Sequence, residues 1–187
     1  GGKKAPRVQL MGSGTILREV IAAAELLDQD FGVASDVWSC PSFTELRRDG
    51  MEAARWNLLH PEAAPRVPHI AKCLDKRVGP AVVATDYMRI FAEQVRPYVD
   101  RRYTVLGTDG FGRSDTREQL RRFFEVNRFY VVVAALKSLA DEGTIPAVTV
   151  TQAIRKYQID PEKAAQYLIF ASLLARRIYE AKDAPKT

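Results

Sequence analysis

The side chains best suited to chemistry are few. His60 and His69 are the only histidines, and Cys40 and Cys73 the only cysteines. His69 and Cys73 lie one helical turn apart, a spacing that lets both reach one zinc ion. Cys40 and His60 stand alone, and no Cys-x-x-Cys knuckle accompanies them, so buried cysteines and ordinary histidines are the better reading. A Cys–His nucleophile pair also lacks a third residue to orient the base. Gly12-Ser13-Gly14 follows an apolar run and precedes a helical pattern, the arrangement in which free backbone N–H groups hold a phosphate. The dinucleotide fingerprint needs a third glycine where Leu17 stands, which favours a plain tight turn. Arg113, Arg117, Arg121 and Arg122 form the densest basic group and suit a phosphate or an acidic protein surface better than nucleic acid. The same spacing describes a solvated helix face, with Glu125 four residues after Arg121. Asp109-Gly-Phe-Gly112 shares letters with a kinase metal loop, but the order is wrong and no catalytic Asp–Asn loop surrounds it. The residues alone therefore assign no catalytic, cofactor-binding or metal position.

The elements that would position these groups alternate between strand and helix, which predicts an α/β domain. Strands are expected at 8–11, 33–38, 81–84 and 103–106. Thr15 opens a helix with Leu17, Val20, Ile21 and Ala24 on one face. Ser42 and Glu45 make a capping box, so a helix starts at Phe43, pauses at Asp49-Gly50 and resumes over 51–57. A proline-punctuated loop fills 60–68, and Pro68 suits the first turn of a helix reaching Lys76. Asp86 is expected to cap a helix ending near Arg96. The stretch 106–124 organises the rest: a strand, a glycine-rich turn, then a helix capped by Asp115 and Glu118 that buries Leu120, Phe123 and Phe124. Gly110 and Gly112 serve that turn, at least one of them at positive φ and neither holding a ligand. Asn127 caps a helix stopping at Gly143, and Thr149 with Gln152 caps one presenting Val150, Ile154 and Tyr157. A last helix is expected over 162–181. Its Tyr167, Leu168, Phe170, Leu173, Leu174, Ile178 and Tyr179 make an apolar surface that should dock on this domain or a second copy.

Composition sets the outer bounds. The 187 residues are 47% hydrophobic and 27% charged, which suits one globular domain without low-complexity tracts or repeats. The formal charge of +5 is too mild to mark a nucleic-acid binder. No stretch is long and apolar enough to span a membrane. Two cysteines fit a reducing, cytoplasmic setting, and a start at Gly1-Gly-Lys-Lys without Met reads as a piece of something longer.

Five runs carry a resemblance: 9–20 (QLMGSGTILREV), 36–46 (DVWSCPSFTEL), 55–61 (RWNLLHP), 84–89 (ATDYMR) and 106–116 (LGTDGFGRSDT). In this order they closely resemble the carboxy-terminal, transketolase-type domain of homodimeric bacterial pyruvate dehydrogenases, the decarboxylating first components of that complex. The resemblance covers about 7–160, leaving 161–187 as an extra helical tail that it does not explain. It implies a three-layer fold with a mixed, mostly parallel sheet of about five strands. It also implies an enzyme that decarboxylates pyruvate on thiamine diphosphate with magnesium and reductively acetylates lipoyl groups. The expected partners are the enzyme's other domains, a second subunit and the lipoyl-bearing acetyltransferase. The family's cofactor motif begins Gly-Asp-Gly and runs to an Asn. Here the chain offers Thr108-Asp109-Gly110 instead, and Asn57 and Asn127 are the only asparagines, so the motif is absent. The resemblance thus implies a structural and assembly domain, inactive alone, with no catalytic, cofactor or metal residue of its own. The alternative is an independent nucleotide- or phosphate-binding domain using Gly12-Ser13-Gly14 and the arginine cluster.

Overall fold

The computed structural model of the chain describes residues 5–163. Four strands, β1 (Arg7–Gly12), β2 (Ala34–Ser39), β3 (Ala81–Ala84) and β4 (Tyr103–Leu106), form one parallel sheet in the order β2-β1-β3-β4. Leu10 sits opposite Val37 and Val82, and Val82 opposite Thr104, which fixes the register. Alternation then sorts side chains between two cores. Val8, Leu10, Val82 and Ala84 pack under α1 (Leu17–Phe31), α6 (Arg128–Asp141) and α7 (Ala147–Lys156), joined by Phe124 at the end of α5 (Arg117–Phe123). Met11, Ala81, Val83, Tyr103 and Val105 pack under α2 (Phe43–Leu59), α3 (His69–Leu74) and α4 (Arg89–Glu93). The result is the expected three-layer α/β arrangement. The described strands number four, all parallel, against the five of a mixed sheet implied by the resemblance.

All four strands lie where the apolar runs predict them. Ser42 and Asn127 cap their helices as expected, accepting from Glu45 N and from Phe129 N and Tyr130 N. Other starts differ. α2 runs unbroken through Gly50, whose missing side chain makes room for the Tyr98 ring rather than ending the helix. Pro68 precedes the first turn of α3, which stops at Leu74. Asp86 does not cap α4; Asp109 does so from the neighbouring loop, accepting from Arg89 N at 3.0 Å. α4 ends at Glu93, and a separate 3-10 turn occupies Arg96–Tyr98. α5 takes Thr116 as its cap, with Asp115 turned back onto Thr116 N. Pro146, not Thr149, precedes α7, because proline fits the position before a first turn. β4 lies at the sheet edge, so the helices after it cover one face instead of crossing to another described strand. The helix expected over 162–181 lies outside the described residues except at its start, where 162–163 form turn structure.

Candidate functional site

In an open parallel sheet a ligand crevice is expected where the strand order reverses, at the carboxyl ends of the strands. Here that point lies between β1 and β3. The chain's own polar groups fill it. Ser13 Oγ and Thr85 Oγ1 lie 2.7 Å apart, both buried, and Thr85 Oγ1 also accepts from Tyr87 N at 3.2 Å. Gly14 has φ +53°, and a methyl group there would lie 3.3 Å from the Asp86 carboxylate. Thr15 Oγ1 donates to the same carboxylate at 3.4 Å. The negative charge that a phosphate would bring to the Gly12-Ser13-Gly14 turn is therefore already supplied by Asp86, which would repel a second anion. A cavity of about 300 Å³ opens beside it, lined by Thr15, Asp86, Thr108, Gly110, Arg113 and Arg117.

Two of the four arginines of the cluster, Arg113 and Arg121, are occupied with the fold. Arg113, Arg117, Arg121 and Arg122 share the lining of a wider cavity of about 800 Å³. Arg121 turns away from Glu125 and donates to Glu19 Oε1 at 2.9 Å. Glu19 also accepts from Arg128 N, Nε and Nη2 at 3.0, 3.0 and 3.1 Å. Its buried position pushes the carboxyl pKa up, but hydrogen bonds and charge from Arg128, aided by Arg121, hold it below the usual carboxylate value. Arg113 stacks 4.3 Å from the Phe123 ring centre. Glu125, at φ +61°, pairs instead with Lys163 at 3.3 Å, and Lys163 also caps α5 through the Phe123 carbonyl at 2.9 Å. Glu19 escaped sequence reading, although its place beside Val20 and four residues before Ala23 set a carboxylate on an apolar helix face.

A second hydrogen-bonded group hides inside the sequence runs that carry the resemblance. Gln9 is fully buried; its amide donates to Asp36 and to the Val78 carbonyl, and its carbonyl accepts from Trp38 Nε1 at 2.9 Å. Arg7 closes the group with a 2.8 Å ion pair to Asp36. Thr108 donates to the Asp86 carbonyl at 2.6 Å. The polar residues of these runs thus bond one another across β1, β2 and the loops that follow the strands.

The structure sets His69 Nε2 3.4 Å from Cys73 Sγ on the exposed side of α3. Cys40 is buried, its thiol pushed up to about 11 by burial and by nearby Cys73, so it stays protonated. His60 stacks on Trp56 elsewhere, with ring centres 4.4 Å apart. Among the described residues no group of three or more His, Cys, Asp or Glu side chains is placed to hold a metal ion. The residues also do not fit thiamine diphosphate with magnesium. Both oxygens of Asp109 face Arg89, at 3.0 Å from its N and 3.3 Å from its Nε. Asn57 is committed to the backbone of Arg66, and Asn127 to the start of α6.

Comparison with known proteins gives a consistent answer. Residues 2–127 match the family model described as the transketolase-like TK C-terminal domain. The chain is 65% identical over 159 residues to a pyruvate dehydrogenase E1 component of Cupriavidus necator. It is 59% identical over 160 residues to that of Pseudomonas aeruginosa, and 59% over 158 to that of Escherichia coli K12. These matches take in 84–85% of this chain but 18% of each relative, so the chain spans less than a fifth of their length. Among solved structures, one titled split gene transketolase, inactive beta4 tetramer, aligns with TM-score 0.50 and 19% identity, over 74% of this chain and 41% of that one. At that identity the likeness concerns the fold.

Proposed function

The chain belongs to the transketolase-like C-terminal domain family, and from that premise we propose that it is the carboxy-terminal structural and assembly domain of a pyruvate dehydrogenase. The 65% identity to an E1 component carries this reading. In the proposed whole enzyme, thiamine diphosphate and magnesium sit on the preceding domains, where pyruvate loses carbon dioxide and the acetyl unit passes to a lipoyl group. The partners would be those domains, a second subunit and the lipoyl-bearing acetyltransferase, all in the cytoplasm. This chain supplies shape: Gln9, Asp36 and Trp38 lock β1 to β2, while Glu19 locks α1 to α5 and α6. None of its residues is assigned a catalytic, cofactor-binding or metal role, and the extra segment 161–187 is outside the domain proper. The rival reading, an independent nucleotide- or phosphate-binding domain, is disfavoured by Asp86 at the only glycine turn that suited it. Calorimetric titration of the 187-residue chain with NAD, ATP and thiamine diphosphate plus magnesium separates the two readings. No heat of binding is expected for any of them. Micromolar binding of NAD or ATP would establish the rival, and micromolar binding of thiamine diphosphate would place the cofactor site on this chain.

A further inference from the structure

Tyr87, Met88, Ile90 and Phe91 lie within five residues of one another, each between 42% and 62% exposed. Single exposed apolar side chains are ordinary, but a contiguous group of large ones marks a contact surface. This group is also held rigidly. Thr108 N donates to the Tyr87 carbonyl at 2.9 Å, and Thr108 Oγ1 to the Asp86 carbonyl at 2.6 Å. Asp109 clamps Arg89 through its backbone N and its guanidinium. The β4 loop presses so close that a methyl group on Gly107 would come within 2.9 Å of the Tyr87 carbonyl. Tyr87 and Phe91 meet edge to face, their ring centres 6.1 Å apart. Of the nearby charges, Arg89 pairs with Asp109 and Arg96 with Glu93 at 2.7 Å, while Asp86, beside Tyr87, receives only the Thr15 hydroxyl among the described residues and keeps its negative charge. A rigid, apolar face bordered by one unpaired carboxylate loses little freedom on docking and suits an apolar protein surface, not a nucleic acid or an anionic membrane.

We propose that the 87–91 face, at the carboxyl edge of the sheet, docks against an apolar surface of the preceding domains of the longer polypeptide. This rests on the function proposed above. It commits to that occupant because more than four fifths of each matched relative's length lies outside the chain's match. The test places Met88→Cys and, separately, Ile90→Cys in the complete polypeptide with Cys73→Ser, since Cys40 is buried. Maleimide labelling of either thiol is expected to be at least about tenfold slower in the native enzyme than after unfolding in urea. Labelling at the unfolded rate in both variants would overturn the proposal. Slow labelling would equally overturn it if a bis-maleimide joined two subunits through residue 88, because the face would then pair with itself. It would also fail if removing 164–187 restored fast labelling, because the tail would then be the cover. Pyruvate-dependent activity, measured on the same preparations, reports separately on the function itself. Activity with an open face rejects the docking alone, and a protected face without activity rejects the pyruvate dehydrogenase reading while leaving the docking supported.

Discussion

Glu19 sits in the first turn of α1, its side chain almost wholly out of water and both oxygens taken by Arg121 and Arg128. Hydrogen bonds to a charged partner contribute about 1.5–3 kcal/mol, and removing one partner leaves the other charge uncompensated. Glu19→Gln should therefore lower stability by about 1.5–3 kcal/mol in urea titration at neutral pH. The pH dependence has a definite sign. The folded-state carboxyl titrates below its ordinary value of 4.5, so its stabilisation is complete above that pH and is lost as pH falls through the lower folded value. The variant should lose this part of the acid sensitivity; an unchanged acid limb would refute the role. At this scale the sequence was partly legible. The runs containing Gln9, Asp36 and Trp38 are visible as a resemblance, but their mutual hydrogen bonds join residues 27 and 29 positions apart. Only the parallel register of β1 and β2 brings those partners together.

Helix boundaries show how far local rules reach. Ser42 and Asn127 cap where their spacing says, because a cap is a contact between near neighbours. Asp86 fails as a cap because Asp109, from the loop after β4, takes the α4 amino end. Gly50 reads as a break and is instead a close approach: a methyl group there would overlap the Tyr98 ring. In an exposed helix Gly→Ala gains about 1 kcal/mol, but overpacking costs about 1–3 kcal/mol. Gly50→Ala should therefore lower the melting temperature, and Tyr98→Ala added to it should recover part of the loss. A stabilised single variant would contradict this packing. The two turn glycines also separate. Gly110 has φ +96°, while Gly112 is outside the left-handed region and a methyl group there meets nothing within 4 Å. Gly110→Val should cost about 1 kcal/mol or more and Gly112→Val almost nothing, since the expected positive φ falls on Gly110 and not on Gly112. Equal melting curves for the two variants would refute the distinction.

The described residues form a three-layer scaffold in which the buried polar side chains Gln9, Ser13, Glu19, Thr85 and Ser138 bond to groups of the chain itself. The strands and their order in sequence were legible because each is an apolar run between turn residues, and burial on both faces of a parallel sheet demands such runs. The strand order was not, since nothing local to β1 says that β2 and β3 flank it. The family was legible through the five runs that carry the resemblance, while the residues that could do chemistry pointed nowhere. Glu19, Asp86, Asp109, Asn57 and Asn127 all hold backbone or partner side chains in place. In the proposed role the domain contributes through its shape and the faces it offers, so a homologous shape should replace it. The direct test is exchange: residues 7–160 replace their counterpart in the Cupriavidus necator pyruvate dehydrogenase E1 component, which is 65% identical over the matched region. Pyruvate-dependent reduction of an electron acceptor is then measured beside the native enzyme. The domain account predicts a soluble chimera with kcat and KM within a few-fold of the parent. A chimera that folds and assembles yet shows no turnover would contradict it.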